Sequence, residues 1–261
     1  VDLQLRGTVV LITGGSKGIG FECARAFARE GARVAIAARN PVTLAAAVDS
    51  LQSEGIQAHA ECVDLRDATS LNAAVGRIEA AVGPIGVLIN SAGAARHHTP
   101  DSTDSERWLA AMQDKYLPYV HAMDAVVPRM AARGTGAVVN IVGTGGKVAS
   151  VTHMAGGAAN AALMLVSAAF AKAWGPKGVR VNVINPGATE TQRLSAQLEV
   201  KAAASGKSVG EIRAEAASSI PLGRYGAPRD VAATAVFLAS APASYINGAS
   251  VAVDGGTTSL P

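Results

Sequence analysis

Apolar residues recur along the chain in two rhythms that alternate. Short unbroken runs such as Val9-Val10-Leu11-Ile12 read as strands buried on both faces. Such runs predict strands near 8–13, 33–38, 57–63, 86–90, 136–142, 178–184 and 249–253. Between them the apolar positions fall three and four apart, as in Phe21, Ala24, Phe27 and Ala28, which is helical spacing. Helices are predicted over 18–30, 41–54, 68–82, 103–131, 153–175 and 228–240, with Pro41 opening the second and Asp67 capping the third. Gly31 and Gly55 stop the first two. Strands separated by helices imply right-handed crossovers and a parallel sheet covered on both sides. The fold class is therefore α/β, a doubly wound parallel sheet of about seven strands in one domain over residues 1–261. Residues 189–224 break the rhythm, being rich in alanine and in charges such as Lys201, Lys207, Glu211, Arg213 and Glu215.

Composition narrows the function classes. A chain of 261 residues that is 49% hydrophobic has ample material for a core. The net charge is only +3 and no basic cluster stands out, so no nucleic acid partner is expected. The alanine-rich run 158–171 reads as a buried helix, so no membrane partner is expected either. Val1–Gly7 carries no signal-peptide pattern, and a cytoplasmic location is expected. Cys23 and Cys62 are expected as packed thiols. The adjacent His97 and His98 have no further His or Cys at ligand spacing, and no metal is expected. His59 and His121 read as surface or packing residues.

The first strand runs into Thr13-Gly14-Gly15-Ser16-Lys17-Gly18-Ile19-Gly20 and then into a helix. A strand that turns through glycines into a helix aims backbone N–H groups and the helix dipole at a phosphate. Further motifs follow in order: Asp64 with Leu65, Asn90-Ser91-Ala92-Gly93, Pro186-Gly187 with Thr191, Leu238-Ala239-Ser240, and Val253-Asp254-Gly255-Gly256. Together they resemble the short-chain dehydrogenase/reductase family over nearly the whole chain. The resemblance implies a Rossmann-type sheet, a nicotinamide cofactor, a small-molecule substrate and a homotetramer or homodimer. It implies cofactor contacts at Gly14, Ser16, Lys17, Gly18, Ile19, Gly20, Asp64, Leu65, Asn90, Ala92, Gly93, Asn160, Pro186, Gly187 and Thr191. It also implies that residues 189–224 form a lid over the substrate.

The end of the second strand bears on which nicotinamide is used. An acid there binds the ribose 2′-hydroxyl of NAD, whereas arginine accommodates a 2′-phosphate. The strand ends Ala37-Ala38-Arg39-Asn40 without an acid, and Lys17 sits on the same side. NADP(H) is therefore expected over NAD(H).

The usual family chemistry uses a serine, a tyrosine, a lysine four residues later and an asparagine on the preceding long helix. Counting from the motifs puts these positions at Gly143, Gly156, Asn160 and Lys115. None of the four tyrosines (Tyr116, Tyr119, Tyr225, Tyr245) is followed four residues later by lysine, so no placement of gaps restores the pair. Removing one acid–base group typically slows a reaction ~10²–10⁴-fold. Lys115, Thr144 and His153 are the candidates to replace it, Lys115 foremost. Three readings follow: an NADP(H)-dependent oxidoreductase with a non-standard proton donor, an NADP(H)-binding sensor or partner subunit without turnover, and a non-redox lyase or isomerase on this fold.

Overall fold

Strands that are apolar on both faces need cover on both faces, and the chain supplies it by sending its helices alternately to either side. The computed structural model describes residues 1–93 and 97–258. Its strands are β1 (Val9–Thr13), β2 (Arg33–Ala38), β3 (Ala58–Cys62), β4 (Ile85–Asn90), β5 (Gly136–Ile141), β6 (Val179–Pro186) and β7 (Ser250–Val253). They form one parallel sheet of order β3-β2-β1-β4-β5-β6-β7. The helices are α1 (Gly18–Arg29), α2 (Pro41–Ser53), α3 (Ala68–Val82), α4 (Ser105–Ala111), α5 (Leu117–Ala132), α6 (Met154–Trp174), α7 (Gln192–Ser205), α8 (Val209–Ser218) and α9 (Pro228–Ala239).

The two-residue period of β1 divides the core. Val10 and Ile12 join Phe27 of α1, Leu51 of α2 and Val231 of α9 on one face. Val9 and Leu11 join Leu71 of α3 and Val126 of α5 on the other. Burying a side chain such as Phe27 completely stabilises the fold by ~1.5–3 kcal/mol. Asp67 caps α3 as expected, accepting from the N–H groups of Thr69 and Ser70.

Two expectations need correction. Cys23 is a packed thiol, pushed up to about 12 first by burial and then by Glu22. Cys62 is exposed instead, because β3 is the sheet's edge and is covered by a neighbouring strand on one side only. The single helix expected over 103–131 is interrupted. Between α4 and α5 the residues Met112–Tyr116 form a π-turn, in which the Leu117 N–H reaches back five residues to the Met112 carbonyl. Pro118, in the first turn of α5, has no N–H for the Asp114 carbonyl four residues earlier, and its ring crowds that oxygen. A wider turn relieves both problems.

Candidate active site and cofactor cleft

The strand order reverses direction between β1 and β4, and a cleft of about 710 Å³ opens near the carboxyl ends of the strands. The glycine-rich turn forms one end of it through Lys17, Gly18 and Ile19. Close approach explains the glycines there. A β-carbon on Gly20 would lie 2.4 Å from the Gly14 carbonyl oxygen, and one on Gly15 would lie 2.6 Å from the Ile36 side chain. Across the opening, Pro186, Gly187 and Thr191 leave β6, and the Thr191 methyl stands 3.4 Å from where a Gly18 β-carbon would be. Gly187 is pinned to the C-terminal motif, donating to the Val253 carbonyl at 3.1 Å. This cradle at a helix N-terminus fits the phosphates of a dinucleotide.

Not every expected contact lines this cleft. Gly93 and Asn160 do, as do the residues just named, whereas Gly14, Ser16, Gly20, Arg39, Asp64, Leu65, Asn90 and Ala92 do not. Asn90 is fully buried and its amide serves the core. It accepts from the Thr13 hydroxyl at 3.0 Å and donates to Asn140 at 2.9 Å. Asn140 donates in turn to Ser167 of α6 at 2.8 Å, so a buried polar chain ties β1, β4, β5 and α6 together below the cleft. Asp64 is gripped by Arg66, whose Nη2 lies 2.7 Å away, and that contact holds its carboxyl below its usual value. Arg39 is exposed at the end of β2, with no acid beside it on the strand.

The floor of the cleft is built around a buried lysine. Lys115 sits in the π-turn and is only 7% exposed, yet it lines the cleft. Its Nζ donates to the Tyr119 phenol oxygen at 2.8 Å and to the Ile141 carbonyl at 3.2 Å. The Tyr119 hydroxyl donates to the same carbonyl at 2.5 Å, and the ammonium also lies 4.4 Å from the Tyr119 ring centroid. The amine is thus held at the end of β5, directly before Val142 and Gly143.

Gly143 follows the end of β5 in an unusual conformation. Its φ of +125° belongs to backbone that side-chain-bearing residues rarely adopt. The loop beyond it, Thr144–Gly146, presses onto α6: a β-carbon on Gly146 would lie 2.7 Å from the Ala161 nitrogen. Asn160 is buried nearby, its Nδ2 3.4 Å from where a Gly143 β-carbon would be. Gly156 is buried in α6.

Thr144 and His153 both line the cleft, as their candidacy requires. His153 precedes α6, and its ring stacks on His97 with centroids 4.5 Å apart. The His97 segment is fastened to the loop before α6, because the His98 N–H donates to the Thr152 carbonyl at 2.9 Å. His121 lies elsewhere, with Nδ1 3.0 Å from the Leu65 carbonyl. Sequence reasoning missed Tyr119. The available signal was Lys115-x-x-x-Tyr119, the usual tyrosine–lysine spacing in reverse order and on a different helix.

The chain is similar to known proteins over almost its whole length. The family profile described as "Enoyl-(Acyl carrier protein) reductase" matches residues 14–258. Galactitol 2-dehydrogenase (L-tagatose-forming) of Cereibacter sphaeroides is 36% identical over 258 residues, covering 98% of this chain and 96% of that protein. L-sorbose reductase from Gluconobacter frateurii, complexed with NADPH and L-sorbose, superposes with a TM-score of 0.94 at 28% identity over 100% of both chains. An NADPH-bound short chain oxidoreductase from Pseudomonas aeruginosa PAO1, described as containing an atypical catalytic center, gives a TM-score of 0.89 at 31% identity. That match covers 97% of this chain and 98% of the other.

Proposed function

The chain belongs to the short-chain dehydrogenase/reductase family, and from that premise we propose that it moves hydride between NADP(H) and a small hydroxylated carbonyl or alcohol, with the Lys115 amine carrying the proton. The observation that supports this most is the Lys115 amine at the cleft floor, held by Tyr119 and the Ile141 carbonyl. Similarity to proteins that act on galactitol and L-sorbose supports a small hydroxylated substrate, whatever its charge.

Bound NADPH would supply the hydride. The turn Lys17–Gly20 and the N-terminus of α1 would hold its phosphates, and the Asn160 amide would hydrogen-bond its nicotinamide ribose. Lys115 then does what tyrosine does in the usual site. As an ammonium it donates a proton to the oxygen that gains charge, and as an amine it takes one back in the reverse direction. Tyr119 and the Ile141 carbonyl fix where the nitrogen sits, which is the proximity that proton transfer needs. Thr144 stands at the wall to steady the substrate oxygen in place of the serine. Spectrophotometric NADPH consumption against a panel of ketoses and keto acids tests the reading. A second reading, an NADP(H) binder without turnover, is favoured by the absence of any Tyr-x-x-x-Lys. It predicts tight NADPH binding with no consumption on that panel.

Cofactor choice gives a separate expectation. Lys17 and Arg39 flank the place of a 2′-phosphate, so NADPH should bind roughly tenfold or more tightly than NADH, a difference of ~1.4 kcal/mol. In fluorescence titrations, Arg39→Ala should remove most of that preference. Equal affinities in the parent protein would sink the idea.

For assembly we propose a homotetramer, or a dimer built on the α4–α5 and α6 faces. Leu165 of α6 is 75% exposed and Leu109 of α4 is 62% exposed, which leaves apolar surface without cover. Sedimentation at micromolar concentration should show an oligomer, and Leu165→Glu should shift it toward monomer. A stable parent monomer would contradict this.

A further inference from the structure

The wall at the substrate end of the cleft carries several cationic or proton-donating groups and, among the described residues, no carboxylate. Lys115 lies at the floor, and the stacked imidazoles of His97 and His153 stand at the wall. Ser150 and Thr144 add hydroxyls. The acids nearest in sequence are engaged away from the wall: Asp114 with Arg66 at 3.4 Å, and Glu190 with Arg213 at 2.7 Å. Residues 94–96, between Gly93 and His97, contain no acid in sequence.

From this distribution, and resting on the oxidoreductase reading above, we infer that the site prefers an anionic substrate, a small hydroxy- or keto-carboxylate, over a neutral polyol. A polyol would make only neutral hydrogen bonds with wall groups such as Thr144, Ser150 and Asn160. A carboxylate only accepts, and it meets the imidazole N–H groups of the wall in charge-assisted hydrogen bonds, leaving Lys115 to the reacting oxygen. The His97–His153 stack suits this role. His97 is placed by the loop after β4 and His153 by the N-terminus of α6, so the stack joins two elements of the wall at one point.

Tartrate and threitol share a four-carbon 2,3-dihydroxy skeleton and differ in carrying carboxylates or hydroxymethyl groups at the ends. Each would be titrated by calorimetry into the protein saturated with NADP+, at low and at moderate salt. Tartrate is expected to bind roughly tenfold or more tightly than threitol, with the margin narrowing as salt rises. The double variant His97→Gln, His153→Gln should lose most of the margin while NADP+ affinity, measured separately, stays as in the parent. Threitol binding as tightly as tartrate, or neither probe binding, overturns the inference. So does a tartrate preference that survives in the double variant, which would mark binding outside this wall. A protein that fails to take NADP+ overturns the oxidoreductase reading instead. The same two titrations on the cofactor-free protein then still decide the charge preference by the same criteria.

Discussion

Lys115→Met is expected to lower kcat by ~10²–10⁴-fold with little change in NADPH affinity, because it removes the proton carrier and leaves the phosphate cradle intact. Methionine keeps the length and apolar stem of lysine, so the π-turn retains its packing. Lys115→Arg separates charge from proton transfer. A guanidinium keeps the positive charge but does not give up its proton in this pH range, so it should remain nearly as slow as methionine. Tyr119→Phe should slow turnover more mildly, since the amine keeps the Ile141 carbonyl. If Tyr119 acts by positioning Lys115, the double variant Lys115→Met, Tyr119→Phe will be no slower than Lys115→Met alone. Multiplying losses would mean that the two residues act independently. Unchanged turnover in Lys115→Met removes this lysine from the mechanism and turns attention to Thr144 and His153.

The sheet was legible because its signals are local and repeated. Val9–Ile12 reads as a strand buried on both faces, and the glycines that follow read as a tight turn into a helix. Element order then fixed the crossovers, so the core face of each helix could be read from its spacing. The floor of the site was less legible because it depends on one break in a helix. Hydrophobic spacing reads 103–131 as continuous, and counting along it puts Lys115 at the asparagine position. It does not say whether the amine reaches solvent or the cleft. That outcome follows from Pro118, which forces the π-turn, and from contact with Ile141, a residue 26 positions away on β5. The role of the Asn90 amide was hidden for the opposite reason. Its motif points to the cofactor, while its side chain is held in a buried chain of Thr13, Asn140 and Ser167 that no local pattern reveals.

Gly93→Ala is expected to damage the site from outside the usual catalytic positions, and it tests whether the π-turn sets the chemistry. Gly93 ends the Asn90-Ser91-Ala92-Gly93 motif with φ of +86°, where a side chain costs ~1–2 kcal/mol of backbone strain. A β-carbon there would lie 2.2 Å from the Asp114 carbonyl oxygen and 3.2 Å from the Lys115 Cα. Both neighbours are backbone, so the π-turn must move, and overpacking of this kind adds ~1–3 kcal/mol. The melting temperature should fall by about 5–15 °C at matched protein concentration. Gly55→Ala is the control. Its φ is +77° but no atom lies within 4 Å of the added carbon, so it carries strain without collision and should cost about half as much or less. The functional arm is the more discriminating one. Moving the turn moves the Lys115 amine, and a displacement near 1 Å can cost ~10²-fold in rate. Folded Gly93→Ala protein should therefore turn over slowly even at saturating NADPH, as Lys115→Met does. If it melts early but keeps the parent kcat, the π-turn is a structural accommodation of Pro118 and does not set the position of the proton carrier.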